Sequence, residues 1–125
     1  MLKSGLTALC AFLILFASAF YEYKTVNDTF DKFAKIIEQT QTKIASGDYL
    51  SEDGLTVEKF WLEAKKKLHV WIPHTDIKEI DLWVCECKQY TRQKNTEEAI
   101  CKLAVLHGLA TQVPYGFLIK FENIF

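Results

Sequence analysis

The sequence predicts a mainly α protein, a small bundle of about four amphipathic helices. Three observations predict it. Apolar residues recur at three- and four-residue spacing in four separate stretches, capping residues precede these stretches, and Gly47 and Pro73 fall between them. The 125 residues are 50% hydrophobic, 25% charged and 14% aromatic, with a formal net charge of −1. That length holds one compact domain. The mixed charge is that of an ordinary folded protein and not of a basic nucleic-acid binder, so no nucleic acid is expected as a partner.

Residues 1–19 stand apart from the rest. Lys3 precedes an uncharged apolar run from Leu6 to Phe16, and Ala17-Ser18-Ala19 follows. A cation, about a dozen apolar residues and a small-x-small end make the tripartite pattern of a secretory signal peptide. Cleavage after Ala19 would leave residues 20–125 as a secreted, extracellular domain with no stable membrane span. Phe20 and Tyr21 extend the apolar stretch, which leaves an uncleaved signal anchor as the alternative. Removal of the first 19 residues leaves 106, with 14 cations against 16 acids for a formal charge of −2, and three cysteines.

Each helix then has its own signals. Asn27 or Asp28 is expected to cap the first, whose apolar side is Phe30, Phe33, Ala34, Ile37 and Ile44. Ser46-Gly47-Asp48 ends it, and residues 47–54 form a polar loop. The second begins near Thr56 and carries Val57, Phe60, Trp61, Ala64, Leu68 and Trp71 up to Pro73. The third opens on Asp76-x-x-Glu79, a capping-box pattern. On a helical wheel Ile77, Ile80, Val84, Cys87 and Thr91 share one side, whereas Cys85 falls with Lys78, Gln89 and Arg92. Residues 79–90 also alternate, which makes an α+β fold with a strand there the rival. The fourth starts at Asn95-x-x-Glu98 and is apolar on nearly every side from Ala99 to Ala110, the pattern of a central buried helix. After Pro114, Tyr115 to Phe125 reads as a short C-terminal strand or extended tail.

An oxidising compartment makes a disulfide expected for the three remaining cysteines. Cys87 and Cys101 each lie seven residues from a turn near Lys94, so an antiparallel hairpin sets them level, with Cys85–Cys101 as the rival pair. The leftover Cys85 is then a free thiol or the link of a disulfide-bonded dimer. Zinc on Cys85, Cys87, Cys101 and His107 has poor spacing, with one C-x-C in place of two C-x₂-C knuckles. No metal or other cofactor is expected.

Chemistry is sparse. His69 and His74 flank Pro73, out of helical ligand register, and His107 reads as a hydrogen-bonded core imidazole. The sequence holds no metalloprotease, nucleophile-elbow or phosphate-loop motif, and the chain is not expected to be an enzyme. Lys65-Lys66-Lys67 reads as a solvated helix face. Asn27-Asp28-Thr29 is a glycosylation sequon. A core that fills a small bundle with large residues takes most of the aromatics, and Trp61, Trp71, Trp83, Tyr115, Phe117 and Phe121 are the candidates for an interface or a ligand cavity. The leading expectation is a small secreted protein that binds another, unidentified extracellular protein. The alternative is a carrier of a small apolar ligand held between helices.

Overall fold

The computed structural model describes residues 1–124, with side chains described for residues 1–116. It is a bundle of four helices: α1 (Leu2–Ala45), α2 (Gly54–Leu68), α3 (His74–Arg92) and α4 (Thr96–Ile124). Each helix packs on the next, α4 closes against α1, and among the described residues the two diagonal pairs make no close backbone approach. Partner numbers run in opposite directions along every seam. Phe33 stacks on Phe60 and Trp61, while Lys43, further along α1, pairs with Asp53 at the start of α2. Glu58–Lys88 and Lys65–Asp81 join α2 to α3, Glu86–Lys102 joins α3 to α4, and Glu38–His107 joins α1 to α4. The topology is up-down-up-down, as short loops between consecutive helices require.

The core is a column of apolar side chains from all four helices. Phe30, Phe33, Ile37 and Ile44 face Val57, Trp61 and Leu68, then Ile80 and Val84, then Leu103 and Leu106. Trp61 occupies the middle. Its ring lies 5.4 Å from that of Phe33, and its indole N–H donates to Asp81 Oδ1 at 2.6 Å. Lys65 Nζ sits 3.2 Å from the same oxygen, so the one polar atom of the buried indole meets a carboxylate that is itself paired. No buried side-chain nitrogen or oxygen among the described residues lacks a hydrogen-bond partner.

Several elements differ from expectation at their ends. α1 does not start at Asn27 or Asp28 but runs unbroken from Leu2, because no proline interrupts it, Gly5 is its only glycine, and the packed face from Val26 outweighs the weak propensity of Thr25 to Thr29. Thr29 and Thr40 inside it satisfy their hydroxyls on the carbonyls of Thr25 and Ile36, at 2.7 and 2.9 Å. Its end follows the sequence: Gly47 takes φ 82° and donates its N–H to the Ile44 carbonyl. α2 opens at Gly54 and stops at Leu68, whose carbonyl accepts the amides of both Trp71 and Ile72 at 2.9 Å. Trp71 therefore lies in a loop and not on α2. α3 starts at His74, ahead of the Asp76 box, with Pro73 (φ −54°, ψ 142°) as its N-cap.

The strand alternative for residues 79–90 is corrected, because α3 is helical throughout. Five wheel-matched residues, Ile77, Ile80, Val84, Cys87 and Thr91, are the buried ones. Asn95 caps α4 as expected, its Oδ1 3.4 Å from the Glu98 amide. α4 is not a wholly buried helix, however. Ala99, Leu103, Leu106 and Ala110 are buried, while Ala104 and Val105 face outward. In a ring of four, every helix keeps one side in solvent. The C-terminal strand is also corrected: α4 passes through Pro114 and continues to Ile124. Pro114 removes one helix N–H, yet it is buried, and its packing stands against that loss. Phe117, Phe121 and Ile124 also recur four and three apart, so a run that short fits both periods.

Candidate functional site

The two ends of the bundle are built differently. At one end the α1–α2 loop and the α3–α4 turn are pinned together by polar contacts. Tyr49 Oη lies 2.7 Å from Thr96 Oγ1, and Lys94 Nζ donates to the Tyr49 carbonyl and sits 4.0 Å over its ring. Asp53 accepts from the Leu50 N–H at 2.7 Å and pairs with Lys43 at 3.0 Å. Partial desolvation works to raise the Asp53 carboxyl. The Leu50 N–H and Lys43 outweigh it and hold that group below its ordinary range.

At the other end α1 leaves the bundle as a bare apolar helix. Residues 2–18 are exposed on every side, and Ala19 is the first to be half-buried. Where α1 emerges, Ala17, Ser18, Tyr21, Glu22, Thr25 and Trp71 line an open trough of about 430 Å³. Phe20, Tyr21 and Val70 are exposed beside it.

A second groove, of about 180 Å³, runs along the α1–α4 seam. Tyr23, Asn27 and Asp31 form its α1 wall and Thr111, Pro114 and Tyr115 its α4 wall, with Phe30 and Ala34 at its base. Farther along the same seam His107 Nε2 meets Glu38 Oε1 at 2.8 Å. His107 is thus hydrogen-bonded as expected, but on a half-exposed seam and not in the core. A third groove, of about 170 Å³, lies between α1 and α2 over Thr29, Lys32, Phe60 and Lys67.

The candidate aromatics separate on this framework. Trp61 is 1% exposed and belongs to the core, which corrects its assignment as an interface or ligand residue. Trp83 is half-buried on the α3–α4 seam, with Lys102 Nζ 5.2 Å from its ring. Trp71 and Tyr115 are exposed, and they flank α1 on its two sides near the same end. Phe117 and Phe121 have side chains outside the described residues.

The cysteines do not pair; Cys85, Cys87 and Cys101 are all free thiols. The expected Cys87–Cys101 bond fails on azimuth, not on height. Cys87 lies on the buried stripe of α3, whereas Cys101 follows Ala99 by two residues, about 200° round α4, and faces out. The rival Cys85–Cys101 bond is likewise unformed, with both thiols exposed on different helices. Burial pushes the Cys87 thiol up to about 12, and Glu86 adds to the shift. These cysteines and His107 are not gathered into a ligand set, and no group of three His, Cys, Asp or Glu among the described residues is placed to hold a metal.

Asn27 sits in mid-helix, half-buried in the α1–α4 groove. A glycan there would occupy that groove. Tyr23, Asp31 and Pro114 were not singled out by the sequence. Their common signal is topological: with short loops, α4 must return beside α1, and the outward edges of those two helices then meet.

No curated protein and no solved structure matches the chain. A family model described as Domain of unknown function (DUF4363) matches residues 20–124, which takes in the rest of α1 and all of α2, α3 and α4. The chain belongs to the DUF4363 family.

Proposed function

We propose that the N-terminal apolar segment carries the bundle out of the cytoplasm, where it acts as a non-catalytic module that binds another protein along the α1–α4 seam. The observation that carries this reading is the groove beside Tyr115. Its volume of about 180 Å³ lies below the roughly 300–1,000 Å³ of small-molecule pockets, and its walls alternate aromatic rings with Asn27, Asp31 and Thr111. An apolar side chain presented by a partner fits that size, and the polar rim supplies hydrogen bonds to the partner's backbone. The 430 Å³ trough falls within the small-molecule range, but it is open along the apolar helix and does not enclose a ligand. Between these faces the column around Trp61 fills the interior, which favours a protein partner over a carried apolar ligand.

Site-specific photo-crosslinking in the full chain tests this. A crosslinker at position 115 should give one discrete adduct. The same group at Leu82, exposed on α3 and away from the α1–α4 seam, should give none. Filling the groove with Thr111→Trp should abolish the adduct. Adducts of equal yield at both positions, or no adduct at either, would overturn the reading. So would saturable one-site uptake of a hydrophobic fluorescent probe with quenching of tryptophan emission, which is the signature of a carrier.

A further inference from the structure

We infer that residues 2–20 remain attached to the bundle as a membrane anchor, and that Phe20, Tyr21 and Trp71 sit at headgroup level and hold the bundle upright on the bilayer. Three independent features of the fold converge on it. The first is continuity. α1 is one 44-residue helix, and the Ala19–Phe20 bond lies inside it, so the apolar segment runs into the bundle without a loop.

The second feature is packing across that bond. The trough containing Trp71 is lined by Ala17 and Ser18 on one side of the bond and by Tyr21, Glu22 and Thr25 on the other. Trp71 is 38% exposed and lines this trough together with Ala17 and Ser18. Loss of residues 1–19 would strip part of the lining from this trough. The trough is thus shared by residues on both sides of the bond that a signal peptidase would cut.

The third feature is the match to a bilayer. From Leu2 to Phe20 a helix rises about 27 Å, against roughly 30 Å of hydrocarbon. The segment has a mean hydropathy of 1.9 over its best 18 residues, none of them buried in the protein. Its one charge, Lys3, lies at the end far from the bundle, where a long cationic side chain reaches the interface. Beyond Phe20, charge returns at once with Glu22 and Lys24. Aromatic rings with one polar edge concentrate at such a boundary, and Tyr21 and Trp71 are rings of that kind. The opposite end, with Tyr49, Lys94, Thr96 and Asp53 held in polar contacts, faces away from the lipid. The anchor stands or falls independently of any partner on the α1–α4 seam.

The test uses the full chain with a C-terminal tag, expressed through its own N-terminus. The expected product resists alkaline carbonate, is released only by detergent, and has an intact mass that includes residues 2–20. A soluble product beginning at Phe20 would overturn the proposal. The detergent-purified chain is then placed in phosphatidylcholine vesicles whose acyl chains are brominated close to the glycerol. Tryptophan emission should be quenched in the wild type, and Trp71→Phe, which keeps an aromatic ring, should lose most of that quenching. Equal quenching in the two proteins would show that Trp71 is not at the interface and would overturn the collar.

Discussion

Two helical glycines respond in opposite directions to the same substitution, and the reason lies wholly in their neighbours. Gly54 is the first residue of α2 and is buried against α3. A Cβ built on it would lie 3.0 Å from the Lys88 Cα and 3.3 Å from the Thr91 Cβ. Carbon atoms prefer roughly 3.5–4.0 Å, and the nearer contact is backbone, so α2 and α3 must separate by about half an ångström. Overpacking of this kind costs about 1–3 kcal/mol. Replacing Gly by Ala in a helix interior returns up to ~1 kcal/mol, and less at a first residue. The steric term wins, and Gly54→Ala should destabilise by about 1–2 kcal/mol, a fall in Tm of roughly 4–15 °C for a domain of this size. Gly108 in α4 has nothing within 4 Å of the place a Cβ would take, so Gly108→Ala keeps only the propensity gain and should raise Tm by several degrees. The assay is thermal and urea unfolding followed by far-UV circular dichroism, on the chain from Phe20 onward, which retains every buried core residue from Val26. If Gly54→Ala raised Tm as Gly108→Ala does, the close α2–α3 approach, and the packing argument built on it, would be wrong.

Other outcomes follow from single contacts. Lys94 holds φ 59° at the end of α3, a left-handed residue that is not glycine. Lys94→Ala keeps that strain and loses the contacts to Tyr49, so in urea unfolding Lys94→Gly should be the more stable of the two by about 1 kcal/mol. Asp81→Ala strands the buried Trp61 N–H at a cost of about 1–3 kcal/mol, and Asp81→Asn, which keeps an acceptor oxygen, should cost less in the same assay. The Asp53 carboxyl is held below its unfolded value, so its contribution is present above about pH 4 and is lost as pH falls through the folded pKa. Unfolding curves taken down through that window should show a shallower acid loss for Asp53→Asn than for the wild type. At neutral pH a thiol-alkylating reagent should label Cys85 and Cys101 in the folded protein and Cys87 only after denaturation, as peptide mapping would read directly.

What the sequence made legible was whatever depends on one helix at a time. The wheel for residues 77–91 separated buried Cys87 from exposed Cys85, because a single helix face decides that. Gly47 and Asn95 were readable for the same reason, since each satisfies backbone groups within a few residues of itself. Placement between helices was not readable. The Cys87–Cys101 pairing used correct heights along the hairpin, but it lacked the rotation of α4 about its own axis, which α1 sets from the far side. Trp61 stands both on the apolar stripe of α2 and among the interface candidates, because its partner, Asp81, lies 20 residues away on the next helix. The α1–α4 groove joins the first and last helices, and no local spacing of Tyr23, Asp31 or Tyr115 announces it. The start of α1 was misplaced by an opposite error. A cap residue ends a helix only if something upstream refuses to be helical, and nothing before Asn27 does.

That uninterrupted helix also ties the groove to the proposed anchor. Between Phe20 and Ala45 α1 has neither glycine nor proline, so the orientation of its apolar segment is transmitted rigidly to the bundle. On α1 the groove residues run from Tyr23 to Ala34, three to fourteen residues beyond Phe20, or roughly 5–21 Å along the axis. With residues 2–20 in the bilayer, the seam beside Tyr115 is therefore held within about 20 Å of the headgroups. On the proposed anchoring, the partner that would reach this seam is one itself close to the membrane, such as the end of another spanning helix laid alongside α1 and α4. A flexible linker in place of residues 20–25 would leave that choice open, whereas a continuous helix removes it.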